Sequence, residues 1–320
     1  TIDTTHKIVV VGASGTIITS MTGSSWTSRT SGTSNDLKAV AYGNSLFVAV
    51  GKSGTILTST DGISWTQRTS GTTQDLFAVA FGKNSFVAVG KAVLTSTNGT
   101  SWTVRTNPDI LYAITGYNGA PGNSQGYTFV AVGNSVRVSY DSGMTWASKN
   151  LPQGASSPLM SITKGAEVAT DNSGILSGGG GTFSTVYRRC STYDQSSSCI
   201  SSGFSGENHT VGWLQGIVIG SPNPSNYLTS AHSLRSTCYV AVGYSGTFAY
   251  TCEPGSTYFW RSRQNHIGSN NYFFVIYGGN YTWVMGGSSG RLLTSETAFL
   301  SKSTRNSGVS ATLYGGTFKE

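Results

Sequence analysis

Charged side chains are scarce in this sequence, and so are the features that mark helices and membrane spans. Only 10% of its 320 residues are Asp, Glu, Lys or Arg, and it contains seven prolines. No apolar run approaches the roughly 18 residues that a membrane-spanning helix needs, and no window has the 3.6-residue period of a long amphipathic helix. These absences argue against a helical or membrane-spanning chain.

The short motifs of common catalytic, nucleotide and metal sites are missing as well. The sequence has no P-loop, H-E-x-x-H or Cys-x-x-Cys, and its four histidines are scattered. We therefore predict no metal and no cofactor. The basic residues behind the net charge of +7 are diffuse. Aromatic residues do not interleave with them as a nucleic-acid site requires, so we predict no nucleic-acid partner.

The four cysteines fall into two local pairs. Cys190 and Cys199 enclose a Ser-rich loop, and Cys238 and Cys252 flank a segment typical of a β-hairpin. Both separations suit the short Cα distance of a disulfide, so we predict two disulfides. The sequence starts with Thr and shows no charged-then-apolar leader. We expect a mature chain that is secreted or displayed at the cell surface.

What the sequence has in abundance is glycine, with 42 copies, and a repeat. The unit is clearest in residues 36–69, which contain four short β-type segments separated by turns. Tryptophans at positions 26, 65, 102 and 146 mark successive copies. A unit of about 40 residues with four strands is typical of one blade of a β-propeller.

The repeat predicts an all-β, seven-bladed β-propeller of four-stranded blades that occupies residues 1–320 as one domain. The second-strand text recurs seven times, but the N-terminal copy lacks an innermost strand, which reappears at Val309–Gly316. We expect this C-terminal strand to complete the first blade and so close the ring. A β-sandwich or a solenoid is the alternative, but neither predicts that the missing innermost strand of the first blade lies at the C-terminal end of the sequence. The predicted blades are 6–30 with 308–316, 36–69, 75–106, 110–150, 157–190, 211–263 and 271–302.

One turn of the repeat carries an aspartate whose role needs an explanation. Successive copies place Thr22, Asp61, Asn98 and Asp141 at this position. A catalytic carboxylate would not tolerate Thr or Asn in equivalent copies, whereas a turn that needs a short polar side chain would. We predict a structural role.

The last of these copies, "SYDSGMTW" at Ser139–Trp146, matches the Asp-box S-x-D-x-G-x-T-W of the bacterial neuraminidase repeat. The chain therefore resembles the Asp-box propellers, which include sialidases, xyloglucanases, sortilin-type receptors and photosystem II assembly-factor propellers. These relatives share an architecture rather than an activity. The resemblance implies a fold element on the turn between third and fourth strands. Its residues here are Ser59, Asp61, Trp65, Ser96, Asn98, Trp102, Ser139, Asp141 and Trp146.

The remaining acids do not form a catalytic pattern. A glycosidase needs two carboxylates that face each other across a cleft. Asp36, Asp75 and Asp109 recur before innermost strands, and no acid lies inside one. We predict that the chain is not an enzyme. The alternative is a divergent sialidase-like glycoside hydrolase that would use Glu207 or Asp194.

The basic residues after each tryptophan suggest a binding surface. We expect Arg29, Arg68 and Arg105 to pair with Asp36, Asp75 and Asp109, because each acid follows its arginine closely. Their counterparts in later repeats, Lys149, Arg263 and Lys302, lack such an acid, which would leave half of one face positive. The candidate ligand-binding residues are Lys149, Arg188, Arg189, Arg263, Lys302, Trp213 and Tyr193.

These patterns favour a secreted, non-catalytic recognition or adhesion module. Its partner would be a glycan, such as an acidic polysaccharide, or an acidic protein surface. The alternative from another class is a self-assembling structural subunit of an extracellular surface assembly or filament. The sequence does not distinguish whether the insertions 116–127, 190–210 and 220–237 form binding sites or only extend loops.

Overall fold

The computed structural model describes residues 7–106, 109–116, 128–149, 158–163, 270–278, 282–295 and 302–319, with the backbone of further strands between 168 and 262. Within this part of the chain the structure is all-β, interrupted only by short 3-10 turns. This confirms the all-β part of the prediction. The strands form seven sheets, six of four strands and one of five.

The first four sheets contain the clearest repeats. Sheet 1 contains β1 (Lys7–Gly12), β2 (Ile17–Ser20) and β3 (Thr27–Arg29). Sheet 2 contains β4 (Leu37–Gly43), β5 (Leu46–Gly51), β6 (Ile56–Ser59) and β7 (Thr66–Arg68). Sheet 3 contains β8 (Leu76–Gly82), β9 (Ser85–Gly90), β10 (Val93–Ser96) and β11 (Thr103–Arg105). Sheet 4 contains β12 (Leu111–Gly116), β13 (Phe129–Gly133), β14 (Val136–Ser139) and β15 (Ala147–Lys149).

The other three sheets follow the same plan. Sheet 5 contains β16 (Ser161–Thr163), β17 (Val168–Thr170), β18 (Gly174–Gly179) and β19 (Thr182–Arg188). Sheet 6 contains β20 (Phe204–Ser205), β21 (Leu214–Gly220), β22 (Cys238–Gly243), β23 (Phe248–Thr251) and β24 (Trp260–Ser262). Sheet 7 contains β25 (Tyr272–Gly278), β26 (Thr282–Gly287), β27 (Leu292–Ser295) and β28 (Ser303–Arg305). The last strand, β29 (Leu313–Lys319), belongs to sheet 1.

Neighbouring strands within a sheet pair antiparallel, except that β20 pairs parallel with β24 in sheet 6. The innermost strands of different sheets lie side by side. The strand β29 pairs antiparallel with β1, with Ile8 opposite Phe318. Contacts between innermost strands run from β4 to β8, β12, β16, β21, β25 and β29, and β29 also contacts β4. Each sheet therefore presents its first strand to the first strand of the next.

The hydrophobic core lies between neighbouring sheets. The second strands are short apolar runs such as "LFVAVG" in β5, because both of their faces are covered. One cluster joins Val9, Val11 and Ile17 of sheet 1 to Leu37 and Phe47 of sheet 2, and Trp65 packs against it. Similar clusters join sheets 2 and 3, sheets 3 and 4, and sheets 7 and 1. Burying one such aliphatic or aromatic side chain stabilises the fold by about 1.5–3 kcal/mol.

The two ends of the sheets differ, and we name them by their features. The turn end carries the turns between third and fourth strands, called Asp turns, at residues 20–26, 59–65, 96–102 and 139–146. The bulge end carries the starts of the innermost strands, the turns between second and third strands, and the loops to the next sheet. A β-bulge interrupts the register near the start of each innermost strand of sheets 1, 2, 3, 4, 6 and 7.

Candidate functional site

At the turn end, each Asp turn closes on its own backbone. The hydroxyl of Ser59 accepts the Gly62 N–H at 2.8 Å and donates to Asp61 Oδ1 at 2.9 Å. The same oxygen of Asp61 accepts the N–H groups of Ile63 and Ser64 at 2.8 and 2.9 Å. Those backbone N–H groups hold the pKa of Asp61 below its ordinary value.

The equivalent residues use other side chains for the same contacts. Asn98 Oδ1 accepts the N–H groups of Thr100 and Ser101, both at 2.9 Å. Asp141 Oδ1 accepts the Thr145 N–H at 2.9 Å, and Thr22 Oγ1 accepts the Ser24 N–H at 3.3 Å. An oxygen acceptor is therefore the common requirement, and a negative charge is not.

Each Asp turn is also fastened to a tryptophan. The indole N–H of Trp65 donates to the Gly62 carbonyl at 3.2 Å, and Trp26, Trp102 and Trp146 make the same bond within their own turns. The rings lie against the interface with the preceding sheet, as Trp65 does beside Val9 and Val11. The turn, the tryptophan and the sheet interface form one structural unit.

At the bulge end, aspartates connect neighbouring sheets. Asp36 lies before β4, and its Oδ1 accepts the N–H of Ser14 in sheet 1 at 3.1 Å. Asp75 lies before β8, and its Oδ1 accepts the N–H of Ser53 in sheet 2 at 3.0 Å. Each carboxylate thus bonds a turn of the preceding sheet while its own backbone remains in the next sheet.

Lysines and an arginine neutralise these carboxylates. Asp36 Oδ2 lies 2.8 Å from Lys52 Nζ and 3.1 Å from Lys38 Nζ. Partial burial disfavours the charged form of Asp36, but the bonds from Lys52, Ser14 and Lys38 outweigh it and lower its pKa to about 2.

The other two acids at this end are paired in the same way. Lys91 Nζ lies 3.0 Å from Asp75 Oδ2, and Arg137 pairs with Asp109. The carboxylates of the described residues are those of Asp36, Asp61, Asp75, Asp109 and Asp141. All five accept hydrogen bonds from the fold itself.

The predicted pairing of Arg29, Arg68 and Arg105 with these aspartates is wrong. Each of these arginines donates from Nε to a threonine hydroxyl of the adjacent strand in its own sheet. The acceptors are Thr19, Thr58 and Thr95, at 2.9, 2.8 and 2.8 Å. The strand register favours this contact, because the threonine lies on the neighbouring strand within reach of the arginine.

The sequence pattern also misplaced Lys302. It was aligned with Arg29, but Arg305 is the counterpart, since its Nε donates to Thr294 Oγ1 at 2.7 Å. Lys302 directly precedes β28 and lies at the turn end, whereas Lys149 ends β15 and lies at the bulge end. These two residues therefore do not share a face.

Most other predicted binding residues fall outside the described side chains. Only the backbone of Arg188, in β19, and of Cys238, in β22, is described. Arg189, Cys190, Tyr193, Cys199, Trp213, Cys252 and Arg263 lie outside the described residues. Their predicted roles, including both disulfides, stay predictions.

The structure reveals a group of side chains that sequence reasoning missed. The bulge residue of five innermost strands is Lys38, Phe77, Tyr112, Phe273 or Tyr314, here called the bulge cluster. All five side chains are half-buried. In the repeated text "LKA", "LFA", "LYA", "YFF" and "LYG", the second letter is the bulge residue.

The members of the bulge cluster contact one another across sheets. The rings of Phe77 and Tyr112 stack with centroids 5.4 Å apart and planes 17° apart. The Phe273 and Tyr314 rings lie 5.8 Å apart, and Lys38 Nζ sits 3.5 Å above the Tyr314 ring. These residues therefore form one aromatic and cationic arc that crosses sheets 7, 1, 2, 3 and 4.

Basic residues are concentrated at the same end. Among the described residues, the cations of the bulge end are Arg29, Lys38, Lys52, Arg68, Lys91, Arg105, Arg137, Lys149, Arg291 and Arg305. Its described acids are Asp36, Asp75 and Asp109. The turn end carries Lys7, Lys83, Lys302 and Lys319 with Asp61 and Asp141. The bulge end is the more positive of the two.

A metal site and a membrane-spanning helix are both absent from the described residues. No group of three His, Cys, Asp or Glu side chains in this part of the chain could hold a metal ion. Across the same residues, no helix has the length and apolar character needed to cross a membrane.

The fold resembles several solved β-propellers. No family model matches the sequence, and no curated protein matches it. YCF48 bound to D1 peptide is 17% identical over 84% of this chain and 80% of that chain, with a TM-score of 0.56. YCF48 from Cyanidioschyzon merolae is 14% identical over 86% of each chain, and the WD40 β-propeller domain of Doa1 is 10% identical over 91% and 86%, both with TM-scores of 0.56. The chain therefore has a β-propeller fold.

Proposed function

We propose that this chain is a non-catalytic β-propeller that recognises a protein partner through its bulge end. The observation that carries the proposal is the bulge cluster, in which four aromatic rings and Lys38 are half-buried and partly accessible to solvent. Side chains at β-bulges are aimed away from the regular pleat, and half-exposed aromatic residues beside cations are typical of protein interfaces. One similar structure, YCF48, is bound to a peptide.

The use of the described carboxylates supports the non-catalytic part. A glycosidase needs one carboxylic acid and one carboxylate, both free to reach the substrate. The five described aspartates instead fasten turns or pair with lysine and arginine, and the pKa of each is lowered. A lowered pKa suits a permanent charge and does not suit a general acid at neutral pH.

The proposal includes a closed ring of seven blades in one domain. It is supported by the pairing of β29 with β1 and by the contacts of β29 with both β4 and β25. We also propose that the Asp turns are Asp-boxes, on the strength of the Ser59, Asp61 and Trp65 contacts. Secretion and the disulfides Cys190–Cys199 and Cys238–Cys252 are part of the same proposal and rest on the sequence alone.

A photo-cross-linking experiment tests the proposed function. The amino acid p-benzoylphenylalanine replaces Phe77 in one variant and Tyr140 in the control, where the side chain is 44% exposed at the turn end. Both variants are irradiated with the cells or culture medium in which the chain occurs, and adducts are identified by mass spectrometry. We expect one protein adduct from the Phe77 variant and none from the Tyr140 variant.

Two parallel assays address the other candidate functions. A glycan array at low and physiological salt tests the acidic-polysaccharide version, and size-exclusion chromatography tests self-assembly into a filament or surface layer. Turnover of an aryl glycoside that disappears in Glu207→Gln would overturn the non-catalytic proposal. If Phe77 gives no specific adduct and the glycan array gives a salt-resistant signal, the proposed protein partner is wrong and the ligand is a sugar.

A further inference from the structure

We infer that the partner presents an acidic peptide segment whose apolar side chains pack on the bulge cluster and whose carboxylates pair with Lys52 and Lys91. This inference rests on the proposed function and adds the chemistry of the partner. It follows from three properties of the bulge end: the position of the cluster, the orientation of its rings and the distribution of charge.

The position of the cluster is set by the backbone. In β4, Leu37 pairs with Gly51 and Ala39 pairs with Val50, so the strand register skips Lys38 between them. The register skips Phe77, Tyr112, Phe273 and Tyr314 in the same way in their own strands. Because the innermost strands lie side by side, the five bulge residues form a continuous row at one end of the fold.

The orientation of the rings favours a peptide over a sugar. Phe77 and Tyr112 turn their faces to each other, and Lys38 covers a face of Tyr314. A pyranose ring needs a free flat aromatic face, whereas aliphatic and aromatic side chains pack well against ring edges at 4.5–7 Å, roughly the spacing of aromatic pairs in proteins. One face of each of these three rings is therefore already occupied within the cluster.

The charges beside the cluster favour carboxylates in the partner. The side chains of Lys52 and Lys91 are 52% and 45% exposed, although each touches an aspartate. Asp36 is shared between Lys52 and Lys38, so this pair of lysines exceeds its carboxylate by one charge. A lysine ammonium has three donors and can bind a second carboxylate without leaving the first.

Peptide display on the full chain tests the inference. A phage library of random 12-residue peptides is panned on the immobilised protein, and the most enriched peptide is titrated by fluorescence anisotropy. We expect enriched peptides to combine Asp or Glu with Leu, Phe, Tyr or Trp. Affinity should fall at least tenfold in Phe77→Ala and in the double variant Lys52→Gln/Lys91→Gln.

Matched controls lie at the turn end. Tyr140→Ala removes an exposed aromatic ring, and Lys302→Gln removes an exposed charge, so both should bind the peptide as the wild type does. Circular dichroism shows whether Phe77→Ala is folded. If it is not, the lysine variants still test the inference, because they alter exposed groups.

The outcomes separate the two proposals. The inference is supported if acidic and apolar peptides are enriched and if peptide affinity falls only in the bulge-end variants. Peptide binding that is unchanged in those variants, or lost only in the turn-end controls, overturns the inference and leaves a protein-binding propeller. No enriched peptide and no protein adduct from Phe77 would overturn both.

Discussion

The two ends of the sheets use aspartate in opposite ways. At the turn end, Asp61 bonds to Ser59, Ile63 and Ser64, all within its own turn. At the bulge end, Asp36 bonds to Ser14 in another sheet and to Lys38 and Lys52. The Asp61 side chain is therefore bonded within one turn, whereas the Asp36 side chain joins neighbouring sheets.

This difference explains why the turn end tolerates Thr22 and Asn98 where other copies have aspartate. A local turn needs an oxygen acceptor, which a hydroxyl or amide supplies. A bridge to another sheet that also pairs with lysine needs both the acceptor and the charge. The charged, inter-sheet end also carries the row of half-buried aromatic residues, so we expect recognition there and structural support at the turn end.

The largest expected effect comes from adding one methyl group at each end. Gly54 and Gly62 both have positive φ, +67° and +71°, so alanine costs about 1–2 kcal/mol of backbone strain at either position. At Gly54 the new Cβ would also lie 2.0 Å from the Thr72 carbonyl oxygen, whereas at Gly62 it would meet only side chains, the nearest at 3.0 Å. We expect Gly54→Ala to lower the free energy of unfolding by about 3–5 kcal/mol and Gly62→Ala by about 1–2 kcal/mol.

Urea unfolding followed by circular dichroism measures both losses. Gly71→Ala is the control for strain alone, because its Cβ would meet a single side-chain atom at 3.5 Å and its φ is +78°. Equal losses for Gly54→Ala and Gly62→Ala would show that the bulge-end turn can move away from Thr72, and the two ends would then be equally adaptable.

The second prediction applies one substitution to both kinds of aspartate. Asp36→Asn removes the charge that pairs with Lys38 and Lys52 and should lower the free energy of unfolding by about 1–2 kcal/mol. Asp61→Asn reproduces what Asn98 already does and should change it by less than about 0.5 kcal/mol. The measurement is chemical denaturation at pH 7, with Asp61→Ala as the control that removes the acceptor. A larger loss for Asp61→Asn than for Asp36→Asn would contradict the assignment of local and inter-sheet roles.

The third prediction uses pH to isolate the charge of Asp36. Its pKa of about 2 in the folded chain lies below the ordinary 3.8, so the unfolded chain binds the proton more tightly. The stabilisation is fully present above about pH 4 and is lost as pH falls through the folded pKa near 2. Because the site is partly open to solvent, we expect about 1 kcal/mol from this group.

Denaturation at pH 5, 3.5 and 2.5 tests this dependence. At pH 5 the wild type should have a larger free energy of unfolding than Asp36→Asn. The difference between the two should become smaller as the pH is lowered. Asp61→Asn is the comparison from the turn end. A gap of constant size from pH 5 to 2.5 would mean that Asp36 acts through shape rather than charge.

The fold was largely predictable because the repeat repeats the same physical pattern. Apolar second strands, tryptophan-marked turns and the strand near residue 313 are all visible in the text, and the pairing of β29 with β1 agrees with them. The charge contacts were less predictable. Proximity in sequence suggested that Arg68 meets Asp75, but the strand register instead places Arg68 beside Thr58.

The bulge cluster was missed for a related reason. Lys38, Phe77 and Tyr112 are separated by about 40 residues in sequence, as blades of a propeller are, and the side chains of the cluster differ in type. Only the register skip shared by the innermost strands brings Lys38, Phe77 and Tyr112 into one row. Alternation of apolar and polar residues cannot reveal a bulge, because a bulge interrupts that alternation.

The smallest expected effect concerns the arginines of the outer strands. Their hydrogen bonds determine how much of the positive charge at the bulge end is held in place by the fold. Arg68 Nε donates to Thr58 Oγ1 at 2.8 Å, but sheet 4 has Lys149 and Val138 at these positions, and valine accepts no hydrogen bond. A double-mutant cycle of Thr58→Val and Arg68→Met should give a coupling of about 0.5 kcal/mol, because either change alone already removes the bond. Urea unfolding of the four proteins measures it, and Thr58→Ser, which keeps the hydroxyl, is the control. If the two losses simply add, the arginines are not held by their threonines, and they must then be counted with Lys52 and Lys91 as cations available to an acidic partner.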